Sequence, residues 1–393
     1  MERYKYLVIG GGMTADAAVR GIRELDSNGS IAVISAETVG PYDRPPLSKG
    51  LWKGKDPESI WRKTAEVAGV TLHLGTTAAR IDVAERQVVD RKGGEYSYEK
   101  LLLATGGSPR HLAFGEGSII YFRTLDDYRR LRALTQERER FAVIGGGFIG
   151  SEIAAALAMS GKHVVMVFPE TGVGALAYPP DLSHAVTQLY RDKGVEVFTG
   201  TSVEGLEHSQ NGLSLRVSGD HTIRVDALVA GIGIVPNTEL AAGVNLEVSG
   251  GVVVNEFLQT TAPDVYAAGD VARFFNPALN ERIRVEHEDN ANTMGRLAGR
   301  NMAGAAERYT HLPFFYSDLF ELGYEAVGEL NPRLQTVSKW KEPYREGIVY
   351  YLRAGRVRGV LLWNVWDKVE LARALIGSTR TFTSADLDSA IPT

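Results

Sequence analysis

The chain has 393 residues, of which 44% are hydrophobic and 23% are charged, and its net charge is −5. This length predicts two or three domains, and the acidic balance gives no support to nucleic-acid binding. The chain contains no cysteine, which excludes a redox-active disulfide, a cysteine-sulfenate peroxidase and a thiolate-ligated iron–sulfur cluster within these residues. Any electron transfer must therefore use bound organic cofactors directly.

The sequence predicts a cytoplasmic protein without a membrane span or a metal site. No stretch is long and apolar enough to cross a bilayer, and the N-terminus runs into the first strand without room for a signal peptide. The eight histidines are scattered and show no paired ligand spacing.

A glycine-rich turn follows the first predicted strand. The apolar run Tyr6–Ile9 leads into Gly10–Gly12 and then into a helix, and the strand Ser30–Ser35 completes a βαβ unit. Such glycines permit a tight turn and close backbone approach to a pyrophosphate, and the helix N-terminus attracts phosphate. The alternative for a single motif of this kind is a strand–helix turn with no ligand.

A proline-rich loop, Gly40–Lys49, follows this unit. Its three prolines are predicted to prevent helix formation and to present Arg44 and Lys49 with little flexibility. A buried strand, Leu101–Leu103, then ends in another glycine turn, Ala104–Gly107.

The glycine-rich pattern occurs a second time at residues 141–150. A polar helix over Asp126–Arg140 precedes the strand Phe141–Ile144, the turn Gly145–Gly150 begins the next helix, and His163–Phe168 is the returning strand. Two such motifs, one small domain apart, indicate an enzyme that holds two dinucleotides and passes electrons between them.

The later elements change in character from about residue 313. Before that point the pattern predicts strands near Val195–Phe198, Leu213–Val217, Ala227–Val229 and Thr260–Asp270, and a helix over Glu288–Met302. Beyond it, short β-like runs cover Glu325–Val327, Thr336–Trp340, Gly347–Leu352 and Arg358–Leu362, before a helix over Lys368–Ile376. This predicts a separate C-terminal α+β domain, with Trp363 and Trp366 in its core.

The motifs resemble those of the flavin-dependent pyridine-nucleotide reductases, in their apoptosis-inducing-factor and ferredoxin-reductase branch. The most specific segments are Arg44–Lys49, Ala104–Gly107, Gly145–Glu152 and Tyr266–Asp270. The resemblance implies an α/β fold with two Rossmann-like dinucleotide-binding domains and a C-terminal α+β domain. The implied FAD domain is split over 1–115 and 251–312, the NAD domain covers 116–250, and the C-terminal domain covers 313–393.

By this resemblance, the first glycine motif binds FAD. Gly10, Gly12 and Ala15 would hold the pyrophosphate turn, with Ala15 in place of a third glycine. Glu37 would bind the adenosine ribose, or the equivalent acid of relatives lies one residue earlier, at the position of Ala36. The other implied FAD contacts are Arg44 and Asp270 at the phosphates, Lys49 at the ring, and Ala79, Ala104, Thr105, Gly106, Glu286, His287 and Tyr316. Several relatives have tryptophan at the position of Tyr316.

The resemblance also implies that the second glycine motif binds NADH. Glu170 is predicted to end the second strand of this unit, where an acid accepts hydrogen bonds from the ribose 2′-hydroxyl and repels a 2′-phosphate. We therefore predict that NADH is preferred over NADPH. The implied contacts are Gly145, Gly147, Phe148, Ile149, Gly150, Glu152, Glu170, Gly231 and Gly233.

Four residues are predicted to act at the flavin ring. Lys49 would pair with Glu152 near flavin N5, Phe148 would cover the ring face, and His287 precedes a helix whose N-terminus favours the reduced flavin. Each prediction has a structural alternative. Glu152 could interact only with the helix dipole, Phe148 could be a core aromatic, and His287 could be structural.

The sequence thus predicts an FAD-dependent NADH oxidoreductase, with a ferredoxin-type protein as the favoured acceptor. The alternatives are an NADH-gated, redox-responsive binding protein of the apoptosis-inducing-factor type, or an NADH:quinone or oxygen oxidoreductase. Docking of an acidic ferredoxin would need a local basic patch, and a homodimer is left open. The candidate patch residues are Arg296, Arg300, Arg308, Arg353, Arg356 and Arg358.

Overall fold

The computed structural model describes residues 1–209 and 212–392 and divides the chain into two compact units. The first unit consists of Met1–Arg44, Asp56–Ser108 and Val235–Pro313. The second consists of Pro45–Lys55, Pro109–Ile234 and Phe314–Thr393. The predicted division into three domains stays a prediction. Within the described ranges, no helix is long and apolar enough to cross a membrane.

Helices and strands occur throughout the described part of the chain. The helices are α1 (Met13–Arg23), α2 (Leu125–Glu137), α3 (Phe148–Met159), α4 (Pro180–Asp192), α5 (Glu239–Ala242), α6 (Glu288–Met302), α7 (Val369–Gly377) and α8 (Ser384–Asp388). The strands of the N-terminal part are β1 (Glu2–Ile9), β2 (Ile31–Ile34), β3 (Val70–His73), β4 (Ala78–Asp82), β5 (Gln87–Asp90), β6 (Glu95–Leu103), β7 (Gly107–Pro109), β8 (Ile119–Tyr121), β9 (Arg140–Ile144), β10 (His163–Val167) and β11 (Glu196–Phe198). The remaining strands are β12 (Val203–Ser209), β13 (Gly212–Val217), β14 (His221–Val225), β15 (Ala227–Ala230), β16 (Ile234–Pro236), β17 (Val252–Val253), β18 (Val265–Ala267), β19 (Ala272–Asn276), β20 (Glu281–Ile283), β21 (Phe314–Leu319), β22 (Leu322–Gly328), β23 (Gln335–Glu342), β24 (Glu346–Arg353) and β25 (Arg356–Trp363).

The first unit is built on a mixed sheet with the order β3-β2-β1-β6-β5-β4. Strands β3, β2, β1 and β6 pair in parallel, β5 and β4 continue the sheet in antiparallel pairing, and β18 lies parallel to the carboxyl end of β6. The ends of β1 and β6 are buried on both faces, which explains why Tyr6–Ile9 and Leu101–Leu103 are continuous apolar runs. Helices α1 and α6 pack so closely that a Cβ added at Gly299 would lie 2.0 Å from the oxygen of Ala18. Parallel strands end at the same edge, so the residues after β1, β6 and β18 lie together there.

The second unit contains a parallel sheet with the order β11-β10-β9-β15-β8 and an antiparallel sheet with the order β21-β22-β25-β24-β23. Strands β12, β13 and β14 form a further antiparallel sheet. Helix α3 follows β9 after the turn Gly145–Gly147 and connects it to β10 in the second βαβ unit. These sheets confirm the predicted α/β fold class with an α+β C-terminal region.

Several local predictions are wrong in detail. Pro45–Leu47 forms a short 3₁₀ helix, since proline fits the first turn of a helix, where its missing N–H is not needed. Strand β10 ends at Val167, so Glu170 lies three residues beyond it. Trp363 is buried as predicted, but Trp366 is 43% exposed. Strand β21 and helix α8 were not predicted.

Candidate dinucleotide sites

The first glycine turn brings β1 against the end of β6. Gly10 has a φ of +122°, and a Cβ there would lie 2.0 Å from the oxygen of Ala104. The Gly10 N–H donates to the oxygen of Ile34 at 2.8 Å, and the Ala104 N–H donates to the oxygen of Ile9 at 2.8 Å. Any side chain at Gly10 would therefore separate the strands that form this edge of the sheet.

The N-terminus of α1 is a cradle of the kind that binds a phosphate. Gly12 precedes the helix, and no side chain among the described residues caps it. A Cβ added at Gly12 would meet one atom within 4 Å, the Arg44 Nη2 at 4.0 Å. Ala15 lies in the first turn of α1 and is fully buried. Backbone N–H groups and a guanidinium thus face a space that a side chain at Gly12 would fill.

Glu37 and Arg44 form an ion pair beside this cradle. The Tyr42 hydroxyl also donates to Glu37, at 2.6 Å, and its ring centroid lies 5.1 Å from the Arg44 guanidinium carbon. Burial opposes the charge of Arg44, but Tyr42, Glu37 and Asp270 outweigh this effect and raise its pKa above the usual value. Ala36 is exposed. Arg44 and Tyr42 thus hold Glu37 beside the cradle, while its assignment to the adenosine ribose stays a prediction.

The turn after β6 is held by hydrogen bonds to Asn237. The Thr105 hydroxyl donates to the oxygen of Asn237 at 2.7 Å, and the Asn237 side chain donates back to the oxygen of Thr105 at 2.9 Å. The Asn237 N–H donates to the oxygen of Gly106 at 3.0 Å. The main chain of Thr105 and Gly106 is therefore fixed at the sheet edge. Ala79 lies in β4 and is exposed.

Asp270 and His287 lie at two further turns of the first unit. Asp270 belongs to the 3₁₀ turn Gly269–Val271, and a Cβ added at Gly269 would lie 2.3 Å from the Thr14 Oγ1 in α1. Arg284 donates to the oxygen of Asp270 at 3.0 Å and forms an ion pair with Glu286 at 2.6 Å. His287 immediately precedes α6 without capping it through its side chain.

The second glycine turn repeats this construction in the second unit. Gly145 has a φ of +111°, and a Cβ there would lie 2.4 Å from the oxygen of Gly231. A Cβ at Gly150 would lie 2.1 Å from the oxygen of Gly145, so α3 approaches the turn closely. Gly147 precedes α3, which has no side-chain cap, and a Cβ there would meet no described atom within 4 Å.

The other predicted NAD contacts lie around this turn. Glu170 is half-buried, and its carboxylate forms no hydrogen bond or ion pair within residues 1–209 and 212–392. Gly233 follows β15 and its oxygen accepts a hydrogen bond from the Arg110 N–H at 2.9 Å. Ile149 is 39% exposed.

A buried ion pair joins Glu152 of α3 to Lys49 of the proline-rich segment in the same unit. Lys49 Nζ is 2.8 Å from Glu152 Oε1, and the Glu152 side chain is almost fully buried. The Ser48 hydroxyl donates to Glu152 Oε2 at 2.5 Å, and the Ser317 hydroxyl donates to Oε1 at 2.6 Å. The predicted pairing of Lys49 with Glu152 is thus present, while its role at a flavin stays a prediction.

Aromatic residues accompany this pair. Phe148, the first residue of α3, is half-buried, with its ring centroid 5.1 Å from that of Phe315. Tyr316 is 37% exposed, and Lys49 Nζ lies 5.3 Å from its ring centroid. Phe148 is therefore neither a fully buried core residue nor an isolated surface ring.

The two glycine turns lie within a segment that matches one protein family. The model of the pyridine nucleotide-disulphide oxidoreductases matches residues 4–295. The chain belongs to this family. The model of the C-terminal domain of mitochondrion-associated apoptosis-inducing factor matches residues 298–344 and 338–378.

Individual relatives of this oxidoreductase cover almost the whole chain. It is 35% identical to mitochondrial apoptosis-inducing factor 1 of Dictyostelium discoideum, over 97% of this chain and 80% of that protein. Its structure matches the ferredoxin reductase for the CYP199A2 system of Rhodopseudomonas palustris with a TM-score of 0.89 and 28% identity, over 97% and 96% of the chains. It matches putidaredoxin reductase, solved as a covalent complex with putidaredoxin, with a TM-score of 0.88 and 31% identity, over 96% and 93%.

Membership of this family makes the protein an oxidoreductase that uses FAD and a nicotinamide dinucleotide. Each unit has a helix N-terminus without a side-chain cap, and each has a glycine, Gly12 or Gly147, that leaves space before the helix. Arg44 supplies a cation at the first of these spaces. Both glycine turns of this oxidoreductase therefore fit a dinucleotide phosphate.

Three further residues stabilise these sites by hydrogen bonds. None of them was predicted as a site residue from the sequence of the oxidoreductase. Asn237 fixes the Thr105 turn, and Ser48 and Ser317 bind Glu152. Ser48 had a local signal, because it adjoins Lys49 in the proline-rich segment. Ser317 belongs to the segment Ser317–Leu319, which resembles the apoptosis-inducing-factor side of the family, but its contact with Glu152 had no local signal, because the two residues lie 165 positions apart.

Proposed function

We propose that the protein transfers electrons from NADH through FAD to a small ferredoxin-type protein. The observation that supports this acceptor is the similarity to putidaredoxin reductase, which has been solved as a covalent complex with putidaredoxin. The chain itself has no cysteine, so the disulfide chemistry of other family members has no residue to use here.

We propose a distinct task for each group of residues. The N-terminus of α1 and Arg44 hold the FAD phosphates, and Glu37 is the acid directed at the adenosine ribose. The N-terminus of α3 holds the NADH phosphates, and Phe148 covers the face of the flavin ring on which the nicotinamide stacks. When bound, FAD accepts a hydride and can release the electrons one at a time, which suits a one-electron acceptor.

The proposed task of Lys49 is electrostatic. Its ammonium would stabilise the negative charge that develops on the flavin during reduction. Glu152 holds this ammonium in place at a distance of 2.8 Å. In the first unit, His287 and the N-terminus of α6 would act in the same sense through the helix dipole.

We expect NADH to be preferred over NADPH, because Glu170 lies beyond β10 and its carboxylate has no partner among the described residues. A carboxylate there accepts hydrogen bonds from the ribose 2′-hydroxyl and repels a 2′-phosphate. A Glu170→Ala variant should lose roughly tenfold of this selectivity. The measurement is kcat/KM for both nucleotides with the wild type and the variant. A higher kcat/KM for NADPH than for NADH in the wild type would contradict the assignment.

The acceptor is tested with a panel of ferredoxins at low and high salt. Small ferredoxins are usually acidic, so a basic patch would attract them over a distance. Salt weakens this attraction, because exposed charges are screened beyond a Debye length of about 8 Å at physiological ionic strength. We expect fast reduction of at least one ferredoxin, with kcat/KM falling steeply as salt increases. Slow turnover with every ferredoxin, indifferent to salt, would contradict the proposal.

The candidate basic patches differ in how far they are neutralised. Arg353 and Arg358 both bind Glu329, at 2.8 and 3.1 Å, and Arg358 is largely buried. Glu329 therefore offsets part of the positive charge of this group. Arg356 contacts the oxygen of Ser378 at 3.4 Å.

The patch in the first unit contains one arginine, Arg308, that forms no ion pair within residues 1–209 and 212–392. Arg296 and Arg300 bind Glu24, and Arg300 also binds Glu307. Arg308 is exposed, and all three arginines line an open cavity of about 420 Å³. We place the ferredoxin contact there. Arg308→Glu should raise the KM for ferredoxin and leave flavin reduction by NADH unchanged, whereas Arg353→Glu serves as the matched charge reversal. An equal effect of both reversals would contradict this placement.

The match of residues 298–344 and 338–378 to the apoptosis-inducing-factor C-terminal domain favours a second candidate, an NADH-gated binding protein. In that case, reoxidation would be slow with every acceptor, and NADH would change the oligomeric state or conformation. Size-exclusion chromatography with and without NADH separates this candidate from the first.

A further inference from the structure

The Glu152 carboxylate receives more hydrogen bonds than an ion pair requires. The Lys49 ammonium lies 2.8 Å from Oε1, the Ser317 hydroxyl donates to Oε1 at 2.6 Å, and the Ser48 hydroxyl donates to Oε2 at 2.5 Å. All three partners and Glu152 itself are buried or nearly so. A buried carboxylate needs such partners, because removing one leaves an uncompensated charge.

The proton positions follow from the donor inventory. A serine hydroxyl has one proton, and an ionised carboxylate can only accept. The Ser48 hydroxyl also lies 3.5 Å from the oxygen of Pro45, which is much longer than its contact to Glu152. Because the carboxylate paired with Lys49 can only accept, the hydroxyls of Ser48 and Ser317 are its two donors.

The donors come from separate parts of the second unit. Ser48 and Lys49 are adjacent residues in the turn between the 3₁₀ helices Pro45–Leu47 and Gly50–Lys53. Ser317 lies in β21, where it is paired with Tyr324 of β22. Glu152 lies in the first turns of α3. The C-terminal antiparallel sheet thus provides a direct hydrogen bond to the carboxylate that holds Lys49.

We propose that Ser48 and Ser317 are positioning residues that fix the Glu152 carboxylate and, through it, the Lys49 ammonium. Without them, rotation of the carboxylate would release Lys49, which also lies 5.3 Å from the ring centroid of Tyr316. The inference rests on the proposed role of Lys49 at the flavin, but not on the identity of the final acceptor.

The test uses the FAD-loaded protein and compares Ser48→Ala, Ser317→Ala and the double variant with Lys49→Ala. The first readout is the reduction potential of bound FAD, and the second is the rate of flavin reduction by NADH under anaerobic conditions. Ser183→Ala is the matched control, because Ser183 is a buried hydroxyl of the same unit that donates to the oxygen of Val173 at 2.8 Å and does not contact Glu152.

Each serine variant should lower the potential in the same direction as Lys49→Ala, by a smaller amount, and slow reduction by on the order of tenfold. Ser317→Thr should keep the potential and the reduction rate of the wild type, because it retains the hydroxyl. Ser317→Val, which has the shape of threonine but no hydroxyl, should lower both. In a Glu152→Gln background the serine substitutions should have little further effect, because the residues act as one unit.

Potentials and rates of both serine variants equal to those of Ser183→Ala would overturn the proposal. If Ser317→Ala does not retain FAD, the Thr and Val pair gives the same decision, since the two side chains differ only in a hydroxyl against a methyl group. A shifted potential in a protein that reduces no ferredoxin would uphold the serine roles and refute only the proposed acceptor.

Discussion

A Gly12→Ala protein is expected to keep its fold and to lose most of its affinity for FAD. The φ of Gly12 is −95°, and the added methyl group would meet only the Arg44 guanidinium at 4.0 Å. The protein therefore has room for alanine. The space is nevertheless the one that the phosphates are proposed to occupy, and overpacking by a methyl costs about 1–3 kcal/mol, or roughly 5- to 150-fold in affinity.

Gly10→Ala is the contrasting variant for this prediction. Its Cβ would lie 2.0 Å from the oxygen of Ala104, so the protein itself must distort and lose stability. The measurements are urea unfolding of both apoproteins and titration with FAD. Gly12→Ala should match the wild type in unfolding and fail only in titration. Wild-type affinity in Gly12→Ala would show that the cradle before α1 does not hold the FAD phosphates.

Lys49→Ala is expected to lower both the stability of the protein and the rate of flavin reduction. It leaves the Glu152 carboxylate buried without its cation, which typically destabilises a protein by about 3–5 kcal/mol. It also removes the positive charge proposed to act at the flavin, so reduction by NADH should slow by on the order of 100-fold while FAD stays bound. Stopped-flow absorbance under anaerobic conditions measures this rate, and urea unfolding measures the stability.

The paired substitution separates the two effects. Lys49→Ala combined with Glu152→Ala should recover part of the lost stability, because no unpaired buried charge remains, yet should not recover the rate. Rates within about twofold of the wild type in both single variants would reduce the pair to a structural role.

The parts of the fold that could be predicted are those with local causes. The two βαβ units were predictable because apolar strands, glycine turns and helix starts follow each other within about 30 residues. Helix α6 was predicted with its observed bounds, Glu288–Met302, because its apolar residues recur at helical spacing. The buried position of Trp363, stacked 5.6 Å from Tyr324, followed from an apolar strand pattern.

The errors arose where long-range packing decides. Trp366 has the same composition signal as Trp363 but lies beyond the end of β25, where it covers Gly323 and remains partly exposed. The 3₁₀ turns of the proline-rich segment position Ser48 and Lys49. Helices this short show no hydrophobic periodicity from which they could be predicted.

The candidate sites show the same division. The glycines and the Lys49–Glu152 pairing could be predicted because each has a motif or a family resemblance. The partners of Glu37 are local too, since Tyr42 and Arg44 follow within seven residues. The contacts of Ser317 to Glu152 and of Asn237 to Thr105 join distant segments, and only the folded chain brings them together.

Electron transfer from NADH to a bound flavin can be tested by the visible absorption of the purified protein on anaerobic addition of NADH. We expect a yellow protein with about one non-covalent FAD per chain, whose flavin band is bleached by a stoichiometric amount of NADH. A colourless protein that cannot be reconstituted with FAD, or a flavin that NADH does not reduce, would contradict the proposed function.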